Sequence, residues 1–447
     1  MKKFIFTIII IIITGINLCS QPAWVPMYSG ATENLTDVYF IDGLTGYACG
    51  GFRIYRTYNA GYNWTSYTLP DTTYLQSIRF INQNTGYVCG GRTINQYWSL
   101  QQLYKTTNGG TNWYKVQEMS GTMTDEAFTD VFPVDSLVYL CSGGYANNGV
   151  TGKLYKSQNS GINFSQMNVT SFETFGKISF INSQTGWITS SYGTDVPLVK
   201  RKIFKTTNAG QNWALQYRDS TFQNVLNYQN FELQFVNQNT GYGLYRNNYN
   251  LNNTKFLRTS NGGETWDTTV FSHNLNRAMF FANDSLGWIA GPPSQSINIM
   301  RTSNRGQNWQ TSWMSNNIIN SIYFVNTAVG FAVGNNGVIL RTFTSGLPGV
   351  SIRNISAEVP NAYSLSQNYP NPFNPMTNVK FSIVNAGDVM IVVYDIQGRE
   401  VQTLVNERLN AGTYEVKFDG SMLTSGVYFY KMVTGGFTET KKMLLIK

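Results

Sequence analysis

The chain of 447 residues contains a single histidine, His273, and only 13% of its residues are charged. One histidine excludes His-pair zinc sites and multi-His metal centres, so no metal and no cofactor are expected. A lone His could serve a catalytic triad, but no Gly-x-Ser-x-Gly elbow or catalytic-cysteine signature accompanies it. Cysteine is equally scarce, with four in all, one of which (Cys19) falls in the N-terminal leader. The remaining three, Cys49, Cys89 and Cys141, are too few and too spread out for a disulfide framework. Each follows a similar apolar segment and is read as a small core residue at one repeated place. The one strongly apolar run, Phe4 to Ile13, is shorter than the roughly 20 helical residues a bilayer requires. With Lys2 and Lys3 before it and Ser20 as the cleavage position, it reads as a signal peptide over residues 1–20. Leu18 before Cys19 argues against a lipoprotein signal. The formal charge of +8 comes from scattered Lys and Arg without a dense basic run, so nucleic acid is not an expected partner.

What the chain has in quantity is aromatic residues, 15%, and 41 glycines. That composition favours short aromatic strands joined by tight turns over helices. A Thr/Ser-x-Asn-x-Gly-x-x-Trp/Phe pattern recurs at Thr57 to Trp64, Thr106 to Trp113, Ser157 to Phe164, Thr206 to Trp213, Thr259 to Trp266 and Thr302 to Trp309. Its central residues are Asn59, Asn108, Asn159, Asn208, Asn261 and Asn304, which suit turn hydrogen bonds but offer no acidic proton. A second segment recurs upstream of each, an apolar strand ending in Phe, a polar turn, then Gly and an aromatic, as in Phe40 to Tyr47. It also occurs before Thr342, where the first pattern is degenerate, giving seven units. In the third, Phe132 to Tyr139, Val138 stands in place of Gly.

A unit of roughly 40 to 50 residues with four short strands has the size of one propeller blade. The seventh unit lacks its outer strand, and Ala23 to Tyr28 precedes the first inner strand as an outer strand would. Pairing of the two would close the ring and remove two exposed edges. The expected fold class is therefore all-β, a seven-bladed β-propeller followed by a small C-terminal β-sandwich. The propeller is placed at 21–348, a linker at 349–362 and the second domain at 363–447.

The paired motifs, such as Phe80 to Tyr87 with Lys105 to Trp113, resemble the Asp-box (bacterial neuraminidase repeat) propellers, a group that includes sialidases, sortilin-like receptors and xyloglucanases. Within it they look most like the photosystem II assembly factor type. That resemblance implies a scaffold that carries unrelated activities. The C-terminal region carries Tyr369-Pro370-Asn371-Pro372-Phe373-Asn374-Pro375, Val393 to Val401, Ala411 to Tyr414, Ser425 to Lys431 and Lys441 to Lys447. It resembles the type A sorting domain of the type IX secretion system. The resemblance implies passage through the periplasm and the outer membrane, with the type IX machinery as partner. The product would be extracellular or on the cell surface, where lipopolysaccharide, a glycan or a protein is the candidate partner. No transmembrane segment is expected in the mature chain.

Two functional readings follow. Between the second and third strands, four units carry insertions, Thr93 to Gln101, Tyr145 to Gly152, Tyr192 to Lys200 and Tyr245 to Asn253, on the face opposite the Asn turns. Loops inserted on one face of a repeat array commonly form its binding surface. Tyr97, Trp98, Tyr145, Tyr192, Tyr245 and Tyr249, with Arg246 and Asp195 as polar contacts, are the candidate ligand residues of a non-enzymatic secreted binding or assembly module. The alternative is a secreted glycoside hydrolase, sialidase-like or xyloglucanase-like, which needs two carboxylates across the scissile bond. Asp125, Glu126, Asp130, Asp195 and Glu232 are available, but spacing alone brings no pair together. No catalytic residue is assigned.

Overall fold

A computed structural model of the chain describes residues 23–95, 98–121, 127–143, 145–146, 149–150, 152–169, 174–192, 200–219, 231–247, 253–294, 297–346, 352–356, 358–398, 400–420 and 423–447. The signal-peptide expectation therefore lies outside the described residues. Two compact units are formed, one by Ala23–Leu347 and one containing Pro348–Lys447.

Among the described residues the first unit contains seven four-stranded antiparallel sheets and one two-stranded sheet, Tyr145–Ala146 with Gly149–Val150. Blade 1 runs Leu35–Phe40, Gly46–Gly50, Arg53–Thr57 and Thr65–Thr68 from the axis outward. Blades 2 to 6 repeat this order, with inner strands Tyr74–Phe80, Ala127–Val134, Thr174–Phe180, Phe231–Phe235 and Ala278–Phe281. Blade 7 combines Ile319–Phe324, Gly330–Gly334 and Ile339–Thr342 with Val25–Met27 from the other end of the chain, in the register Val25↔Arg341 and Met27↔Ile339. Inner strands touch their neighbours all the way round, including Leu35–Phe40 against Ile319–Phe324.

The recurring residues explain why each unit folds this way. The Phe ending the inner strand lies flat over the Gly that begins the second strand. A Cβ at Gly46 would come within 2.3 Å of the Phe40 ring, so only glycine fits beneath it. Blade 3 departs from this by one residue more than the sequence implied: Val138 faces Pro133, not Phe132. A proline has replaced the ring, which leaves room for the valine side chain. Between these two strands Asp42 Oδ1 accepts from the amides of Leu44 and Thr45, at 2.8 and 2.7 Å, and Asn82, Asn182, Asn237, Asn283 and Asn326 repeat the turn.

Blades are joined by aromatic stacking. At six of the seven seams the residue after that Gly, or after Val138 in blade 3, lies parallel to the Phe of the next blade: Tyr47 on Phe80, Tyr139 on Phe180, Trp187 on Phe235, Tyr242 on Phe281, Trp288 on Phe324 and Phe331 on Phe40, with centroids 3.4 to 4.1 Å apart; at the seam between blades 2 and 3 Pro133 takes the place of the Phe. The stack of Phe331 on Phe40 joins blade 7 to blade 1. Each Phe also receives an indole edge-on, from Trp64, Trp113, Trp213, Trp266 and Trp309 in blades 1, 2, 4, 5 and 6. In blade 7 that indole is Trp24, 5.7 Å from Phe324 at 82°, with Nε1 donating to Ser312 Oγ at 2.9 Å. The N-terminal strand thus supplies both the missing edge and the missing tryptophan.

The scattered cations also acquire an order. One precedes the Thr or Ser of every Asn turn and its counterpart in blade 7, as Arg56, Lys105, Lys156, Lys205, Arg258, Arg301 and Arg341. Arg56, Lys105 and Lys156 donate to turn carbonyls of the following blade, Gly109, Ser160 and Ala209, at 2.8 to 2.9 Å. Cys49, Cys89 and Cys141 are free, buried and repeated in blades 1 to 3, as their sequence context implied.

The second unit has two four-stranded sheets. One contains Ile352–Ser356, Gly412–Asp419, Met376–Ile383 and Ser364–Leu365, and the other Glu400–Leu409, Gly387–Tyr394, Gly426–Thr434 and Phe437–Leu445. Alternating residues such as Val379, Phe381 and Ile383 face a shared core with Val389, Ile391 and Val393. The segment 349–362 is not a bare linker, because Ile352–Ser356 pairs with Gly412–Asp419.

Trp24 is fully buried whereas nearby Tyr28 is 88% exposed. Trp24→Ala should therefore lower unfolding stability by about 3–5 kcal/mol. Tyr28→Ala should cost less than about 0.5 kcal/mol. Urea denaturation of the two variants checks this.

Candidate functional site

In a propeller the inner strands line an axis, and strand alternation sends every second side chain into it. Here the residues one and three positions before the terminal Phe, or before Pro133 in blade 3, border an axial cavity of about 260 Å³. Three places before it stand Asp37, Asp130, Lys177, Glu232 and Ser321, and one place before it Tyr39, Arg79, Phe132, Ser179, Gln234, Phe280 and Tyr323. The chain is poor in charge, yet five of its acidic and basic side chains, Asp37, Arg79, Asp130, Lys177 and Glu232, converge here from five consecutive blades.

The carboxylates are not equivalent. Asp37 is buried and saturated: it accepts from the amides of Val38 and Ile78, each at 3.0 Å, from Ser321 Oγ at 2.8 Å, and from the Arg79 guanidinium. Burial alone would raise its pKa, but the charges of Arg79 and Lys177 and these hydrogen bonds hold it below the usual aspartate value. Its four donors come from blades 1, 2 and 7, so one carboxylate joins both sides of the ring closure. Asp130 occupies the equivalent place two blades on and accepts from Ser77 Oγ at 2.8 Å and the Ile178 amide at 3.0 Å. Bulges beside Thr36 and Thr129, whose hydroxyls bond Cys49 and Cys141, aim both aspartates inward.

Glu232 stands apart. Among the described residues its one close partner of opposite charge is Lys177, with Nζ 3.8 Å from Oε1, beyond hydrogen-bond distance. Burial pushes Glu232 up to about 7; Lys177 lowers it, while the charges of Asp130 and Asp37 add to the rise. For Lys177 burial acts downward, but Glu232, Asp130 and Asp37 outweigh it and hold the ammonium above its usual value.

Two residues further along the inner strands, on blades 6, 7 and 1, the cavity wall is aromatic. Phe280, Tyr323 and Tyr39 follow one another there with centroids 5.1 and 4.9 Å apart. The cavity is thus amphipathic, with rings along one part of its wall and an unspent acid and ammonium along another.

The sequence-derived site fares differently. Tyr97, Tyr249 and Asp195 lie outside the described residues, as do Asp125 and Glu126. Trp98, Tyr145, Tyr192 and Arg246 have described backbone only, in Trp98–Thr106, Tyr145–Ala146, Gly186–Tyr192 and Gly241–Asn247. Tyr245 requires correction: it is 1% exposed, packs with Phe231 and Trp187 between blades, and its hydroxyl meets Tyr217 and Asp219. Strand alternation turns it into the core, away from the ligand face. The insertions are partly extended ladders, since Thr93 pairs with Ser99 and Asn247 with Asn253. The Asn residues of the turns are structural: Asn59 Oδ1 accepts from Thr57 Oγ1 and from the Asn63 amide, at 3.0 and 2.9 Å, and all six copies repeat this. Among the described residues no three His, Cys, Asp or Glu side chains gather as a metal site. Asp130 and Glu232, named from sequence as unconnected acids, are brought to one cavity. Asp37, Arg79 and Lys177 were missed, although a charge at an inward position of an apolar strand was the available signal.

Comparison with known proteins assigns residues 367–447 to the family described as a secretion system C-terminal sorting domain. This domain marks the chain for type IX export, to the cell surface or beyond it. No curated protein matches the chain. Among solved structures, YCF48 from Cyanidioschyzon merolae superposes with a TM-score of 0.50 at 15% identity, covering 71% of this chain and 98% of that one. An ulvan lyase of polysaccharide lyase family PL25 gives 0.44 at 9% identity, covering 71% and 96% respectively. An ancestral GH74 enzyme gives 0.39 at 12% identity and covers 94% of this chain but 57% of its own. YCF48 supports the propeller fold. Among the described residues no helix is long and apolar enough to cross a membrane.

Glu232 supplies a pH test. Its folded value near 7 lies above the ordinary 4.5, so between these limits the folded chain keeps a proton that the unfolded chain has lost. The contribution of Glu232 to stability should therefore fall as pH rises through that window, by at most about 3 kcal/mol. Glu232→Gln should remove that part of the decline, measured as the difference in urea unfolding energy between pH 4.5 and pH 8 for the two proteins.

Proposed function

We propose that this protein is a non-enzymatic binding or assembly module, exported by the type IX machinery and active outside the cell as its propeller. The observation that carries this reading is how the axial carboxylates are spent. A glycoside hydrolase needs two carboxyl groups facing the scissile bond, one to give a proton and one to receive or attack. Asp37 is saturated by four protein donors, and each oxygen of Asp130 already accepts one hydrogen bond. Among the described residues Glu232 is the axial carboxylate without a hydrogen-bond donor. On this reading the Asn turns are degenerate Asp-box turns that brace the scaffold. Tyr97, Trp98, Tyr145, Tyr192, Arg246, Tyr249 and Asp195, the candidates named from the sequence, contribute contacts to a larger ligand such as a surface glycan or protein.

One observation favours the competing reading, a secreted glycoside hydrolase. Glu232, held near 7, is half-protonated at neutrality, as a general acid must be. The two readings separate cleanly in one experiment, a glycan array probed with the mature protein and paired with a hydrolysis assay on every glycan bound. Saturable binding without product is expected. Turnover that disappears in Glu232→Gln would replace the module by the enzyme. Export is tested separately, because a chain lacking residues 367–447 should accumulate in the periplasm while the full chain reaches the surface or medium; equal export of both would remove the sorting role.

A further inference from the structure

The axial cavity carries a more specific inference, which rests on the binding reading above. Most of its polar lining is already committed. Gln234 donates to the Phe281 carbonyl and accepts from the Phe281 amide, at 2.9 and 2.7 Å, and Asn320 donates to Leu35 O and Asn335 Oδ1, each at 2.8 Å. Asp37, Asp130 and Arg79 are engaged as described. Lys177 and Glu232 are different, because their charged ends face each other at 3.8 Å, too far for a hydrogen bond and close enough for one bound group to touch both. An ammonium offers donors and a carboxylate accepts, so the group that satisfies both must accept and donate from adjacent atoms. A pair of neighbouring hydroxyls does this.

The aromatic wall narrows the class. Phe280, Tyr323 and Tyr39 are half-buried rings that present an apolar surface to the cavity. A ligand that is hydroxylated on one edge and has an apolar face of C–H groups fits between an aromatic wall and a polar one. The charges add a constraint. Asp37, Asp130 and Glu232 against Arg79 and Lys177 leave one negative charge in excess when Glu232 is ionised and none when it is protonated, so an anionic ligand gains nothing here. The cavity, at about 260 Å³, has room for one small ring.

We propose that the axial cavity is a binding site for a single neutral pyranose-type sugar residue. Its hydroxyls bridge Lys177 and Glu232, and its apolar face lies against Phe280, Tyr323 and Tyr39.

The test uses the full mature chain, titrated with methyl β-glucopyranoside, methyl β-galactopyranoside, methyl α-mannopyranoside and the charged methyl β-glucuronide. Saturation-transfer NMR reads the contact face and calorimetry the affinity. Saturable binding of at least one neutral glycoside is expected, with the strongest transfer to the C–H protons of one ring face. Glu232→Gln and Lys177→Met should each weaken it by about tenfold or more, the loss expected for a hydrogen bond to a charged group. Absence of saturable binding by every neutral glycoside, or tighter binding of the glucuronide, would overturn the proposal whether or not the variants fold. Binding that survives in both folded variants would overturn it too. A ligand found on the glycan array but unaffected by both variants would leave the binding module standing while removing the cavity from it.

Discussion

The structure depends on one contact repeated at six of its seven seams: an aromatic ring from the second strand of one blade lying flat on the phenylalanine that ends the inner strand of the next. No blade can bury its own faces, since a four-stranded sheet has apolar residues on both sides and edges on either flank. Each therefore borrows its cover from a neighbour. The glycine under every phenylalanine follows from this contact, because the ring needs the space a side chain would take. So does the edge-on tryptophan, which fills the corner left between the ring and the turn. A chain of such contacts is finished only when its last member meets its first. Phe331 on Phe40, with Trp24 supplied from the N-terminus, is that meeting.

The axis adds a second, polar layer of the same joining. Asp37 ties blades 1, 2 and 7 through one carboxylate, and Asp130 ties blades 2, 3 and 4. Burying such groups is costly unless they are hydrogen-bonded, and here Asp37 has four donors and Asp130 one on each oxygen, drawn largely from adjacent blades. Lys177 and Glu232 belong to the same ring of positions but lack that completion. The contrast between finished and unfinished pairs is what distinguishes the wall that holds the ring together from the wall that is free to hold something else.

Much of this was legible in the sequence, and for a physical reason. Repeated contacts impose repeated residues, so the seven units, their strand order and the role of the Asn turns could be read from spacing. Trp24 could be placed because a tryptophan was missing at one end and present at the other. The third blade departs by one residue from that reading: its hairpin turn is one residue shorter, with Pro133 opposite Val138 where blade 1 has Phe40 opposite Gly46, so Pro133 and not Phe132 takes the place of the ring. Tyr245 was misplaced because an insertion length says nothing about which way a strand residue turns. The axial charges escaped because each belongs to a different unit. Their meaning is a property of the closed circle, and no single repeat contains it. The cations beside the Asn turns were the converse case, scattered along the chain yet one to a blade.

Closure of the ring by the N-terminal strand is the claim from which the rest follows, and native-state hydrogen exchange tests it directly. Amides of Val25, Met27 and Ile339–Thr342 should be protected to the same degree as those of Gly46–Gly50 in the middle of blade 1, because opening them means opening the ring. Exchange of Val25 and Met27 at the rate of an unstructured peptide, with the rest of the propeller still protected, would contradict it.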